Sequence, residues 1–159
     1  MTTLAIELPD ENATHSVGQK LARLVEEAPK PLAVHFSGPL GAGKTSLVRA
    51  MLRSLGVQGS IKSPSYALVE PYNLLNFSVY HFDFYRFFDQ NEWVDSGFRE
   101  YFELQNAVCL VEWPEKAGTL LPRPDVCVRL AYQERCSGRR LELLAHSDAG
   151  RWLLQHLEK

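Results

Sequence analysis

The chain has 159 residues, 45% apolar and 23% charged, a composition that suits one folded domain over residues 1–159 and excludes disorder as the main state. Lys and Arg number 17 against 19 Asp and Glu, a net charge of −2, which argues against a protein that coats nucleic acid, because that affinity comes from phosphate neutralisation by basic residues. No apolar run is long enough to span a bilayer and the first residues lack a basic-then-apolar secretory signal, so a cytoplasmic protein with no membrane role is expected.

Thr3 to Leu8 alternates and stops at Pro9, which predicts a strand. Val17, Leu21, Leu24 and Val25 then recur at helical spacing, with Asp10, Asn12 and Thr14 as candidate caps. Leu32 to Phe36 is a short apolar strand entering Gly38, and Leu47, Val48, Met51, Leu52 and Leu55 mark one face of a helix that Gly56 stops. After a loop from Gly59 to Pro64, strands are expected at Tyr66 to Pro71 and Val79 to Phe82, a candidate hairpin around Asn73 to Ser78. Asn91 to Phe102 predicts one or two short helices broken near Gly97. Ala107 to Trp113 is nearly continuous in apolar residues, as in a strand buried on both faces, and Pro114 ends it. Val126 to Tyr132 and Arg140 to Ala145 read as strands around a polar turn containing Gly138, and Ser147 caps a last helix carrying Leu153, Leu154 and Leu157. Strand and helix alternation followed by adjacent strands predicts a three-layer α/β domain with a mixed, mainly parallel central sheet.

Between the second strand and the second helix stands Gly38-Pro39-Leu40-Gly41-Ala42-Gly43-Lys44-Thr45, a complete G-x-x-x-x-G-K-[ST] phosphate loop in its required strand-to-helix context, so the domain is P-loop NTPase-like. Gly38, Gly41 and Gly43 let the backbone bend with its N–H groups around phosphate oxygens, and the helix start adds positive potential. Lys44 is the expected contact to the β- and γ-phosphates, and the Thr45 hydroxyl the expected ligand of Mg2+ bridging them. Ser46 adds polarity at the helix start. An acid at the end of a neighbouring strand is also needed, and two fit: Asp83 after Val79-Tyr-His-Phe82 and Glu112 after Val108-Cys-Leu-Val111. In Ser63-Pro64-Ser65-Tyr66, Ser65 is either a switch hydroxyl sensing γ-phosphate or magnesium, or an ordinary turn residue. Lys62 is either a second phosphate contact or solvated.

Other residues carry weaker signals. His35 and His81 lie in strands without partners at metal spacing, and read as satisfied structural histidines; Trp113 reads as core that could pack beside the site. Arg135, Arg139 and Arg140 surround the polar turn and read as a solvated charged turn, with nucleotide, partner or tRNA contact as the alternative. Cys109, Cys127 and Cys136 form no C-x-x-C pair and read as core or surface thiols.

The chain resembles a known family, the bacterial TsaE proteins. The resemblance is nearly full length and rests on the phosphate loop together with Gly56-Val-Gln-Gly59, Lys62-Ser-Pro-Ser-Tyr66, Leu68-Val-Glu-Pro-Tyr72, Val79-Tyr-His-Phe-Asp-Phe-Tyr-Arg86, Gly97-Phe-Arg-Glu-Tyr-Phe102 and Cys109-Leu-Val-Glu-Trp-Pro114. It implies a small ATPase that works with the TsaB and TsaD proteins in tRNA threonylcarbamoyladenosine (t6A) biosynthesis. TsaD transfers threonylcarbamoyl from its adenylate to the adenosine beside the tRNA anticodon, and ATP hydrolysis by the TsaE-like component permits repeated turnover. The tRNA link is then indirect, which agrees with the acidic chain. By the same resemblance Lys44 and Thr45 take the phosphate and magnesium roles, Glu112 that of magnesium ligand or water organiser, Asp83 that of the other acid, and Ser65 that of switch hydroxyl. Two positions depart from the family pattern: Ser65 stands where Thr is usual, which loosens the rotamer of that hydroxyl, and Phe84 where Leu is common, which bears on packing.

The leading expectation is therefore hydrolysis of Mg-ATP, slow in isolation because no arginine finger or lid is legible. A small-molecule kinase and a non-hydrolysing ATP-dependent binding module are the alternatives. A GTPase is disfavoured by the absence of an N-K-x-D stretch.

Overall fold

The computed structural model of the chain describes residues 2–133 and 138–159. β1 (Thr3–Leu8) turns Leu4, Ile6 and Leu8 inward, and Pro9, which has no N–H to donate, follows it. Asp10 is the residue that caps α1 (Glu11–Glu27), its carboxylate accepting from Ala13 N–H at 2.9 Å. β2 (Leu32–Ser37) runs straight into the glycine loop, and α2 (Lys44–Ser54) leaves it.

The expected hairpin forms from β3 (Val69–Asn73) and β4 (Ser78–Asp83), paired antiparallel. Its first strand starts later than the sequence suggests. Residues 65–67 form a turn instead of extended chain, with Leu68 N–H donating to Pro64 C=O at 2.7 Å and Leu68 held at φ +69°. Two short helices follow, α3 (Gln90–Ser96) and α4 (Arg99–Glu103), separated at Gly97 as its left-handed φ of +73° requires. β5 (Ala107–Glu112) is buried at every position. β6 (Val126–Tyr132), β7 (Arg139–Ala145) and α5 (Asp148–Glu158) complete the chain, and Ser147 caps α5 by accepting from Gly150 N–H at 3.0 Å.

One seven-stranded sheet results, in the order β1-β7-β6-β2-β5-β4-β3. β4, β5, β2 and β6 pair parallel, and antiparallel pairing at the edges leaves only β7 and β3 running against the rest. The sheet is therefore mixed and mainly parallel, as expected. α1, α2 and α5 cover one face, where Phe36, Val79, Val108, Leu110, Val128, Leu141 and Leu143 are fully or almost fully buried. α3 and α4 cover the β4 and β5 part of the other face through an aromatic cluster, in which the Phe82 and Phe102 rings lie 5.2 Å apart and Phe84 and Phe87 4.8 Å. Three layers thus fix the carboxyl ends of β2, β4 and β5 side by side. Among the described residues no helix is long and apolar enough to cross a membrane.

Candidate functional site

The loop between β2 and α2 is shaped by its glycines. Gly38 has φ +145° and any Cβ there would collide with the Leu130 carbonyl oxygen of β6. Gly41 has φ +79°, and a Cβ would lie 2.7 Å from the Tyr132 hydroxyl, which itself donates to Leu40 C=O at 2.9 Å. Gly43, at φ +107°, is the left-handed residue from which α2 starts. The loop is closed by Ala42 N–H donating to Pro39 C=O at 3.1 Å.

Lys44 is buried, and its ammonium turns back on this loop. It donates to the carbonyls of Gly38 and, at 3.2 Å, Pro39, and lies 3.8 Å from the centre of the Trp113 ring. Burial pushes its pKa down, opposed by the nearby Glu112, Glu115 and Asp83 carboxylates.

The two candidate acids end adjacent parallel strands as register partners, Asp83 on β4 and Glu112 on β5. Glu112 is 1% exposed. Its Oε1 accepts from the Thr45 hydroxyl at 2.7 Å, while its Oε2 lies 2.6 Å from His81 Nε2. Asp83 accepts from the Ser63 hydroxyl at 2.6 Å and from Tyr85 N–H at 3.0 Å. Ser65 reaches this acid only through Ser63, the two hydroxyls being 3.4 Å apart. Lys44, Thr45, Ser46, Ser63, Ser65, Asp83, Glu112 and Trp113 line one cleft of about 400 Å³, with Leu40, Gly41, Gly43, Tyr85 and Arg86 completing its wall. A second cavity of about 350 Å³ opens on the far side of the same loop, between the helix cap Asp10 with Thr14 and His15 of the first helix and Leu130 and Arg139 of the sheet.

The sequence-predicted residues from Gly38 to Ser46, with Ser65, Asp83 and Glu112, thus come together. Lys62 does not join them; it lines a neighbouring hollow with Tyr66 and Glu70. Trp113 belongs to the site and not the core, because it is only half-buried and caps Lys44, its backbone held at φ +57°. His35 and His81 are not fully satisfied: among the described residues, buried His35 Nε2 and His81 Nδ1 have no hydrogen-bond partner. Burial, with His146 as a second cause, takes the His35 pKa down to about 4. Arg140 pairs with Glu7 at 2.8 Å, and Arg139 stacks over Tyr132; Arg135 and Cys136 lie outside the described residues. Cys109 is buried, its thiol pushed up to about 12, and Cys127 is partly exposed.

Sequence reasoning missed His81, Ser63, Arg86 and Tyr132 as parts of this corner. His81 could have been found from strand periodicity, since it stands two residues before Asp83 and so shares its face. The other three needed tertiary structure. As for metal, no three His, Cys, Asp or Glu gather into a cage among the described residues. What converges is one hydroxyl and two carboxylates, a hard oxygen set that fits a magnesium ion held mostly by phosphates.

Fold and site define a class: an α/β protein in which a glycine loop, a helix start and two strand-end carboxylates converge at the carboxyl edge of a mainly parallel sheet. The profile of the family described as threonylcarbamoyl adenosine biosynthesis protein TsaE matches residues 8–141, and the chain belongs to the TsaE family. The tRNA threonylcarbamoyladenosine biosynthesis protein TsaE of Haemophilus influenzae is 40% identical over 153 residues, 95% of each chain. The protein of the same name from Synechocystis is 36% identical over 121 residues, 71% of each chain. The crystal structure of Bacillus subtilis YdiB shares the fold, with a TM-score of 0.80 and 24% identity, covering 99% of this chain and 96% of that one.

Proposed function

We propose that this protein is an ATPase that binds and hydrolyses Mg-ATP in support of t6A modification, slow alone and completed by the TsaB and TsaD proteins, with tRNA reached only through that complex, in the cytoplasm. The observation that carries the reading is the Thr45 to Glu112 hydrogen bond at 2.7 Å, which joins the phosphate-loop hydroxyl to a strand-end carboxylate buried beneath it. This buried carboxylate, held on its two oxygens by Thr45 and His81, faces a cleft that Lys44 also lines, which favours a functional reading.

In this reading the loop backbone from Gly38 to Ser46 surrounds the phosphates, and Lys44 exchanges its contacts with Gly38 and Pro39 carbonyls for phosphate oxygens. Thr45, with Glu112 and Asp83, would hold a magnesium ion, whose charge would offset that of the phosphates. Glu112 or Asp83 orients a water toward the γ-phosphorus. The water oxygen forms the new bond to phosphorus, the bond to the ADP oxygen breaks, and the water's proton leaves with phosphate or solvent. Ser65 follows the γ-phosphate through Ser63 and Asp83.

The test is phosphate release from Mg-ATP by the wild type, Lys44→Ala and Glu112→Ala, each alone and with TsaB, TsaD and substrate tRNA. Release stimulated by the partners and lost in both variants is the expected result. ADP appearing with a phosphorylated acceptor identifies a kinase instead; ATP binding without phosphate release in any mixture identifies a binding module.

A further inference from the structure

Glu112 is gripped from two sides, and only one side belongs to the phosphate loop. Its Oε1 accepts a hydrogen bond from the Thr45 hydroxyl; its Oε2 lies 2.6 Å from Nε2 of His81, a residue with no exposed surface. His81 and Asp83 stand on the same face of β4, and β4 and β5 are hydrogen-bonded in parallel register with His81 opposite Leu110 and Asp83 opposite Glu112. The histidine is therefore one strand over and one pleat below the carboxylate, under the cleft and out of reach of anything bound in it. Its other nitrogen, Nδ1, is buried and has no partner among the described residues.

A purely structural side chain at this point has little reason to be histidine. An imidazole sealed from water with one nitrogen unpartnered is less stable than an apolar side chain of similar size, which would leave no unsatisfied atom. What only the histidine supplies is a rigid donor aimed at one oxygen of a long, rotatable acid. A glutamate has three side-chain torsions and, held only at Oε1, its carboxylate could rotate; held at both oxygens it has one orientation. With Nε2 bearing the proton, Nδ1 is left as an acceptor, the tautomer in which the unpartnered atom carries no buried N–H.

We propose that His81 is a positioning residue: its Nε2–H fixes the Glu112 carboxylate so that Oε1 faces Thr45 and the cleft, both before and after Mg-nucleotide enters. The inference rests on the ATPase reading above and goes beyond it, since His81 is fully buried and does not line the cleft. On loading, the Thr45 hydroxyl would turn from Glu112 toward the metal, while His81 would hold the Glu112 carboxylate in place beside it. Partners of this outer kind, hydrogen-bonded to a ligand and not to the ion, typically change activity or metal affinity by about 10–100-fold when removed.

The test compares His81→Leu, which removes the donor, with His81→Gln, whose terminal amide can place an N–H near the position of Nε2. Two quantities are read: kcat and KM for ATP in the TsaB, TsaD and tRNA mixture, and the affinity for ADP measured calorimetrically with and without Mg2+. Expected for His81→Leu is a kcat at least about tenfold lower with KM within about threefold, and loss of most of the tightening that Mg2+ gives to ADP binding. His81→Gln recovers both in large part. A folded His81→Leu with wild-type kcat and wild-type magnesium dependence overturns the proposal. If the wild type itself shows no magnesium-dependent ADP binding, the ATPase reading fails first and the positioning role with it.

A measurement on the unaltered protein guards against a variant that does not fold. In the 15N-labelled chain, the His81 imidazole is expected as the Nε2–H tautomer, with that proton kept in a strong hydrogen bond after addition of Mg-ADP. A bare Nε2, or loss of the bond on loading, overturns the proposal.

Discussion

The Lys44 ammonium sits 3.8 Å from the centre of the Trp113 indole, sandwiched between that ring and the carbonyls of its own loop. A cation on a ring face and two carbonyl acceptors satisfy the ammonium while no phosphate is present. On the ATPase reading proposed above, phosphate oxygens would compete for the same charge, and nucleotide binding would pull Lys44 off the indole. Trp93 is buried in the aromatic cluster and Trp152 lies on α5, which leaves Trp113 as the tryptophan at the cleft. Tryptophan emission is therefore expected to change on titration with Mg-ADP, and the change to vanish in Trp113→Phe. Lys44→Ala should weaken ADP binding about 10–100-fold, the worth of hydrogen bonds to a charged group. Emission that still responds in Trp113→Phe sinks the assignment.

The glycines of the loop make separable predictions. Gly38 combines φ +145° with a blocked Cβ position against the Leu130 carbonyl, whereas Gly43 combines φ +107° with open space. Gly38→Ala carries strain and collision together and Gly43→Ala strain alone, each strained backbone costing about 1–3 kcal/mol. Urea unfolding should thus rank Gly38→Ala as the less stable of the two. The reverse order would mean that the approach of the loop to β6 is looser than this geometry.

How far the sequence reached follows from which parts of the site are local. The strand, glycine loop and helix from Leu32 to Leu55 were legible because their periodicity, punctuation and motif lie within two dozen consecutive residues. Both acids were legible because a carboxylate after an apolar run marks a strand end. The grip of His81 on Glu112 was not, since it joins residues 31 apart and depends on β4 and β5 being neighbours. Trp113 was misjudged for a different reason. Aromatics next to buried strands are usually core, but φ +57° at Trp113 turns the chain sharply before the Pro114–Lys116 turn and delivers the indole to the cleft. The late start of β3 has a similar origin in the turn that Leu68 closes back onto Pro64.

Ser63 and Ser65 differ in what their hydroxyls hold. Ser63 donates to buried Asp83 at 2.6 Å, and its removal leaves a carboxylate oxygen short of a donor, at a cost of about 1–3 kcal/mol. Among the described residues the Ser65 hydroxyl hydrogen-bonds only to Ser63, at 3.4 Å, so Ser65→Ala should stay within about 0.5 kcal/mol of wild type. Unfolding free energies of Ser63→Ala and Ser65→Ala check this. Equal losses would show that Ser65 supports the acid as directly as Ser63 does.

His35 gives the fold a defined acid sensitivity. Burial, with a smaller contribution from His146, brings its pKa from 6.5 down to about 4. As pH falls through 6.5 the unfolded chain takes up a proton on this residue while the folded protein does not, until about pH 4. The contribution of the neutral, buried imidazole is therefore complete above pH 6.5 and is lost across the interval down to about 4, some ~3 kcal/mol in all. Between pH 7.5 and 5.0 the loss attributable to His35 is about 2 kcal/mol. His35→Leu cannot take up that proton, so its unfolding free energy in urea should fall less than that of wild type over this range, by about that amount. An identical fall in the two proteins would mean that His35 is protonated as readily in the folded state as in the unfolded chain.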